Sequence, residues 1–134
     1  MARHDAVGWR EFMTAKALVI AVAAMVSGIV SVGNAQTVEP SYKADPSVYK
    51  VIFEDANFRV IGIDRKKGEK DKMHSHPVPG VIYNITDCNS TLTTPDGKTR
   101  TNNAKAGTAS ATPVVAAHQA ESSNDCKQVI VEKK

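Results

Sequence analysis

Residues 68–80 read Gly-Glu-Lys-Asp-Lys-Met-His-Ser-His-Pro-Val-Pro-Gly, and the histidines within them, His74 and His76, decide how the rest of the chain is read. One residue separates the two, so on a β-strand both side chains leave the same face of the sheet. A third histidine, His118, lies far downstream, where a second strand could bring it to the same point. Neutral imidazole is a common ligand for zinc, copper, iron, nickel and manganese, and three convergent imidazoles suffice for a binding or catalytic site. The only other histidine, His4, precedes a hydrophobic leader. His74, His76 and His118 are therefore the candidate ligands of one divalent metal (Fe, Zn, Mn, Ni or Cu), whose identity the sequence leaves open.

On both sides of this stretch the chain is a series of short β-type runs punctuated by turn signals, with no helical period. Upstream lie Ser47 to Phe53 and Phe58 to Asp64, then a charged turn over residues 65–71. The histidines belong to a run from Lys72 to His76, broken by Pro77-Val78-Pro79-Gly80. Downstream, the strand-forming Val81 to Ile85 and Asn89 to Thr94 lead to Pro95-Asp96-Gly97-Lys98. That is a turn with a mechanism, since proline presets φ and glycine accepts positive φ. Thr99 to Lys105 returns as the hairpin partner, and Ala109 to Thr112, Val114 to Ser122 and Gln128 to Glu132 complete the set. Many short strands at close spacing predict an all-β sandwich or a barrel-like jelly roll. Residues 36–46, with Pro40 and Pro46, read as a mobile arm or an edge segment before a single domain over 47–134.

The first 35 residues read as an export signal. Arg10 and Lys16 precede an apolar run from Ala17 to Val32, and Gly33-Asn34-Ala35 offers small residues two positions apart, so cleavage is expected before Gln36. The run is about 16 residues, short of the roughly 20 that span a bilayer. The basic region is long for a signal, and Met13 is an alternative start to Met1. The expected product is periplasmic or secreted, touching a membrane only during export.

Of the chain's 17 basic and 14 acidic residues, the leader carries Arg3, Arg10, Lys16, Asp5 and Glu11, which leaves 14 and 12, a net charge of +2. With the lysines scattered, that balance argues against a nucleic-acid partner. Aromatics after the leader are limited to Tyr42, Tyr49, Phe53, Phe58 and Tyr83, too few for a stacking platform. Both cysteines, Cys88 and Cys126, lie in the exported part and are candidates for a disulfide. Free thiols, or soft ligands to copper or zinc, are the competing readings.

Two spaced motifs carry a family resemblance. Gly68 is followed after five residues by His74-Ser75-His76, and Gly107 after five residues by Pro113 and then, after four more, by His118. Both halves, in order and at these offsets, resemble the two-part signature of the cupins over approximately Val48 to Val131. The resemblance implies a cupin-type jelly-roll barrel, a metal held by the three histidines and a homodimer formed through sheet edges. One departure matters: a glutamate ligand usually follows the second histidine by four or five residues, and Gly80 and Val81 stand there. Val115 and Ser122 also replace a usual glycine and asparagine.

Three neutral imidazoles leave the +2 charge of a divalent ion uncompensated, so the site should favour an anionic small-molecule ligand and acidify a bound water. The resemblance permits oxygenation, isomerisation or hydrolysis, with a small-molecule dioxygenase first among the enzymes because a three-histidine iron site has open positions for oxygen. The alternatives are a non-catalytic module that captures metal or a small ligand, and a structural barrel with relic histidines. Among other residues, Tyr83 could turn its hydroxyl to the metal but reads first as core. Ser75 and Glu121 should face away from the ligands, Met73 should pack against the sheet, and Asp87 should serve a turn.

Overall fold

Alternation of period two builds most of this molecule. In Cys126–Lys133 the buried residues are Cys126, Gln128, Ile130 and Glu132, and every second residue between them turns outward. The computed structural model describes residues 37–134; the expected export signal and its cleavage point lie outside them. Within the described part the strands are β1 (Tyr49–Glu54), β2 (Phe58–Arg65), β3 (His74–His76), β4 (Gly80–Asn84), β5 (Cys88–Thr93), β6 (Thr99–Ala104), β7 (Ala109–Thr112), β8 (Val115–Ser122) and β9 (Cys126–Lys133). They form a five-stranded sheet in the order β1-β2-β9-β4-β7 and a four-stranded sheet in the order β3-β8-β5-β6, all pairings antiparallel. No helix among the described residues is long and apolar enough to cross a membrane.

The two sheets bring different chemistry to the interior. From the five-stranded sheet and the approach to it come Val48, Tyr49, Ile61, Ile63 and Ile130, the buried apolar cluster, with Tyr42 and Ile82 packed on its edge. The four-stranded sheet contributes His74, His76, Ser90 and Ser122, all buried and polar. The apolar cluster thus sits on the five-stranded sheet, which also buries Arg65, Asn84, Gln128 and Glu132. The outer face of the five-stranded sheet is apolar as well. Phe53 pairs with Val60, Val60 with Val131, and Val131 with Val81, a continuous row of which Phe53 and Val81 are half-exposed.

The cysteines are joined. Cys88 on β5 and Cys126 on β9 form a disulfide with a Cα separation of 4.9 Å, tying the two sheets together. The free-thiol and soft-ligand readings fall with it. Gly68 and Gly107, the glycines that open the two motif halves, both take φ near +77° (78° and 76°), a conformation in which a side chain is strained. The backbone N–H of Gly107 donates to Asn84 (2.8 Å) and that of Gly68 to Ser122 (2.7 Å), so each glycine secures the strand that follows or faces it.

The segment before β1 does more than a free arm would. It holds one helical turn, Ser41–Ala44, and Pro40 forms a parallel bridge to Ser75. Ser75 donates its backbone N–H to Glu39 (2.9 Å) and its hydroxyl to Val38 (2.8 Å). The expectation that Ser75 faces away from the histidines holds, yet it is buried under this segment rather than open to solvent.

Candidate metal centre

β3 is only three residues long, and all three are buried. His74 stands directly across from His118 on β8, the closest lateral relation two strands offer. The register then shifts, so that His76 faces Val115. Such an irregularity re-aims side chains, and here all three imidazoles converge. His74 Nε2 and His118 Nε2 are 2.9 Å apart, and the ligand atoms of the three histidines lie within 4.8 Å of one another. Bonds to a divalent ion near 2.1 Å place neighbouring ligands about 3 Å apart, so the first pair is already spaced for a shared ion.

The tautomer of His74 is set by the backbone. Its Nδ1–H donates to the carbonyl of Lys72 (2.7 Å), which leaves Nε2 with a free lone pair aimed into the site. Burial pushes the pKa of His74 down against an opposing hydrogen bond to Lys72. Burial, reinforced by the nearby His74, His76, Arg65 and Arg100, holds His118 down at about 3. Neutral, desolvated imidazoles with converging nitrogens are the donor set a divalent transition metal takes, so the residues fit the ion.

Around the ligands stand charged groups that sequence reasoning did not single out. The strand alternation of Ile61, Ile63 and Arg65 carries Arg65 inward, and the run read as a charged turn supplies a buried pair: Arg65 Nε lies 3.3 Å from Asp71 Oδ2. Asp71 also accepts from the Tyr49 hydroxyl (2.6 Å) and from Ala120 N (2.6 Å), and sits 3.8 Å from His74 Nδ1. Tyr49 in turn places its oxygen 3.2 Å from His74 Nε2. Burial pushes the Tyr49 phenol up, so it stays protonated. Tyr49 therefore holds the place considered for Tyr83, which instead points outward on β4 and is half-exposed, neither core nor ligand.

The second charged pair comes from β9. Glu132 is buried, accepts from Arg59 Nη1 (3.3 Å), and carries Oε1 3.8 Å from His76 Nδ1. His76 Nδ1 is buried with no hydrogen-bond partner. Glu132 is the cross-strand partner of Gly80, the position where the usual glutamate is missing. A Cβ at Gly80 would sit 2.5 Å from the Val131 carbonyl oxygen, so β9 approaches too closely for any side chain there. The same period-two alternation that buries Gln128 and Ile130 could have flagged Glu132. Glu121 is exposed as expected, and Asp87 serves a turn, accepting from Ala106 N (2.9 Å) and Lys105 Nζ (2.9 Å).

Next to the histidines lies a cavity of about 280 Å³ inside the barrel, bordered by His76 and His118. Its apolar wall includes Ile63, Ile82, Leu92 and Ile130.

No protein-family model matches the chain, and no curated protein matches it significantly. Solved structures do. A cupin domain from Bordetella pertussis superposes with a TM-score of 0.59 at 21% identity, over 65% of this chain and 92% of that one. A cupin-2 domain protein from Shewanella frigidimarina gives a TM-score of 0.47 at 17% identity, over 64% and 79%. A protein from Neisseria meningitidis gives 0.48 at 17%, over 64% and 82%. At these identities the likeness concerns architecture, and the argument rests on the first: the fold of this chain is the cupin jelly roll.

Proposed function

We propose that this protein is an exported cupin that holds one divalent metal through His74, His76 and His118 and presents it to a small molecule in the barrel cavity. The observation that carries the reading is the convergence of three imidazoles, those of His74 and His76 buried and that of His118 partly so, beside a cavity that His76 and His118 border. A bound divalent ion would supply Lewis acidity and an acidified water, and with iron, oxygen chemistry. The chain's own part is to fix the His74 tautomer through Lys72, to exclude water behind the ligands with Tyr49 and Asp71, and to leave the cavity side open. Small-molecule dioxygenation is the enzymatic form of this reading. Export is supported by the leader's pattern and by the disulfide, which suits an oxidising compartment.

A second reading, non-catalytic capture of metal or ligand, is favoured by one feature: among the described residues no carboxylate lines the cavity to serve as a general base there. Elemental analysis of purified protein beside His74→Ala and His118→Ala decides the shared premise. Near-stoichiometric metal, lost in both variants, is expected. A protein that stays folded yet takes up no added metal would leave only a structural barrel. Metal-dependent oxygen consumption over a substrate panel then separates enzyme from binder. The exposed apolar row on the five-stranded sheet supports a homodimer formed through that face, readable by sedimentation equilibrium.

A further inference from the structure

Every charged side chain that borders the cavity is cationic. Arg65 and Arg100 line it together with His76 and His118, and among the described residues no aspartate or glutamate does. Arg65 is spoken for, since Asp71 lies 3.3 Å from its Nε and Tyr49 accepts from its Nη2 at 3.1 Å. Behind the histidines, the pairs Arg65–Asp71 and Arg59–Glu132 each cancel. Arg100 is different. It sits on β6, the edge strand of the four-stranded sheet, is itself exposed, and pairs with no carboxylate among the described residues. It borders the same cavity as His76 and His118. Beside it the same wall offers Ser90 and Asn102 as neutral hydrogen-bond donors, while the opposite wall is Ile63, Ile82 and Ile130.

We propose that the cavity binds a small organic anion, a carboxylate or a similar oxyanion on a short aliphatic body, with Arg100 gripping the anionic head. The proposal rests on the metal-site reading for one end of the ligand and adds the chemistry of the other. With a divalent ion seated, the unbalanced charge facing the cavity is that of the ion plus Arg100, so a neutral ligand would leave it uncompensated in a partly desolvated space. A guanidinium presents paired N–H donors that match a carboxylate edge to edge, a geometry a lysine does not reproduce. Size limits the enclosed part: a cavity of about 280 Å³ suits a short aliphatic body in contact with its walls. Arg100 at the exposed rim also steers anions inward, so association should slow as salt rises.

The test compares malonate with its neutral isostere malonamide by isothermal titration, using wild-type protein and Arg100→Gln, each with and without zinc. Arg100 is exposed on an edge strand, so the variant should fold, and circular dichroism checks it. Malonate is expected to bind zinc-loaded wild type about tenfold or more tighter than malonamide, and Arg100→Gln should erase about tenfold of that without changing zinc stoichiometry. Arg100→Lys should recover only part of the loss. Equal binding of malonate and malonamide, or a variant that binds malonate like wild type, overturns the proposal while the metal reading stands. Absence of zinc uptake with malonate binding still dependent on Arg100 overturns the metal reading and leaves the anion site in place.

Discussion

His74 and His76 are two residues apart on one strand, and each has a carboxylate 3.8 Å from its Nδ1 backed by an arginine, yet the two arrangements are not equivalent. On the His74 side everything is engaged: Nδ1 donates to Lys72, and Asp71 is held by Arg65, Tyr49 and Ala120. On the His76 side Nδ1 has no partner, and Glu132 is held by Arg59 alone, which also bonds Glu54 at 2.8 Å. A ring already fixed by its backbone brings its lone pair to the metal at no further cost in order. A ring with an unpartnered buried nitrogen gains when metal binding at Nε2 leaves the proton on Nδ1 and Glu132 closes on it. His74 thus belongs to the fold as much as to the site, whereas the His76–Glu132 contact has room to tighten with the ligand.

The difference can be broken hardest at Asp71. Asp71→Asn strips the buried Arg65 of its only carboxylate among the described residues, and urea unfolding of the metal-free protein should show a loss of about 3 to 5 kcal/mol. A loss below about 1 kcal/mol would show that Arg65 finds water and that the His74 side is no more rigid than the other.

Acid acts next. Burial depresses His74, and holds His118 at about 3, below the value near 6.5 of an unfolded histidine. In the metal-free protein this contribution is intact above that value and falls as pH drops through it, because the unfolded chain takes up protons that the native state refuses; it levels off near the folded pKa. The urea midpoint should therefore fall between pH 7 and 5, before carboxylates titrate, and His118→Ala should flatten the slope. An unchanged slope in that variant would mean the imidazoles are solvated.

Glu132→Gln sharpens the comparison. Arg59 keeps Glu54 as a partner, so stability should change less than in Asp71→Asn, while metal affinity should weaken about 10- to 100-fold by competition titration against a chelator. A variant that unfolds but binds metal normally would reverse the roles assigned to the two carboxylates. Smallest of all, Tyr49→Phe removes the hydroxyl that donates to Asp71 and accepts from Arg65, and should cost about 1 to 2 kcal/mol in urea unfolding with metal stoichiometry kept.

Strand by strand, the fold was readable because period-two alternation and turn chemistry agree along the chain: Pro95 to Lys98 turns as its residues dictate, and β5 pairs with β6 across it. The clustering of the three histidines was readable from spacing, because His74 and His118 meet as cross-strand neighbours. What surrounds them was not. Arg65 and Asp71 sit in a run of seven charged or glycine residues that reads as a solvated turn, and only their burial shows them as a pair. Tyr49 and Glu132 lie 25 residues before His74 and 56 after His76; alternation along β9 turns Glu132 inward, but which histidine it meets depends on strand pairing across that distance. The segment before β1 read as a mobile arm or an edge segment, and what orders it at the edge of β3 is Ser75, a residue of another strand.

Gly80 limits how this chain can change by mutation. Restoring a glutamate at that position is not a matter of one codon, because the first atom of any side chain would collide with the backbone of β9. The strand would have to retreat, and the strand that retreats is the one carrying Glu132. Gaining a carboxylate among the ligands would therefore loosen the one that stands behind His76, and intermediates along that path would hold neither well. A lineage with this packing is confined to three imidazoles unless a change on β9 comes first.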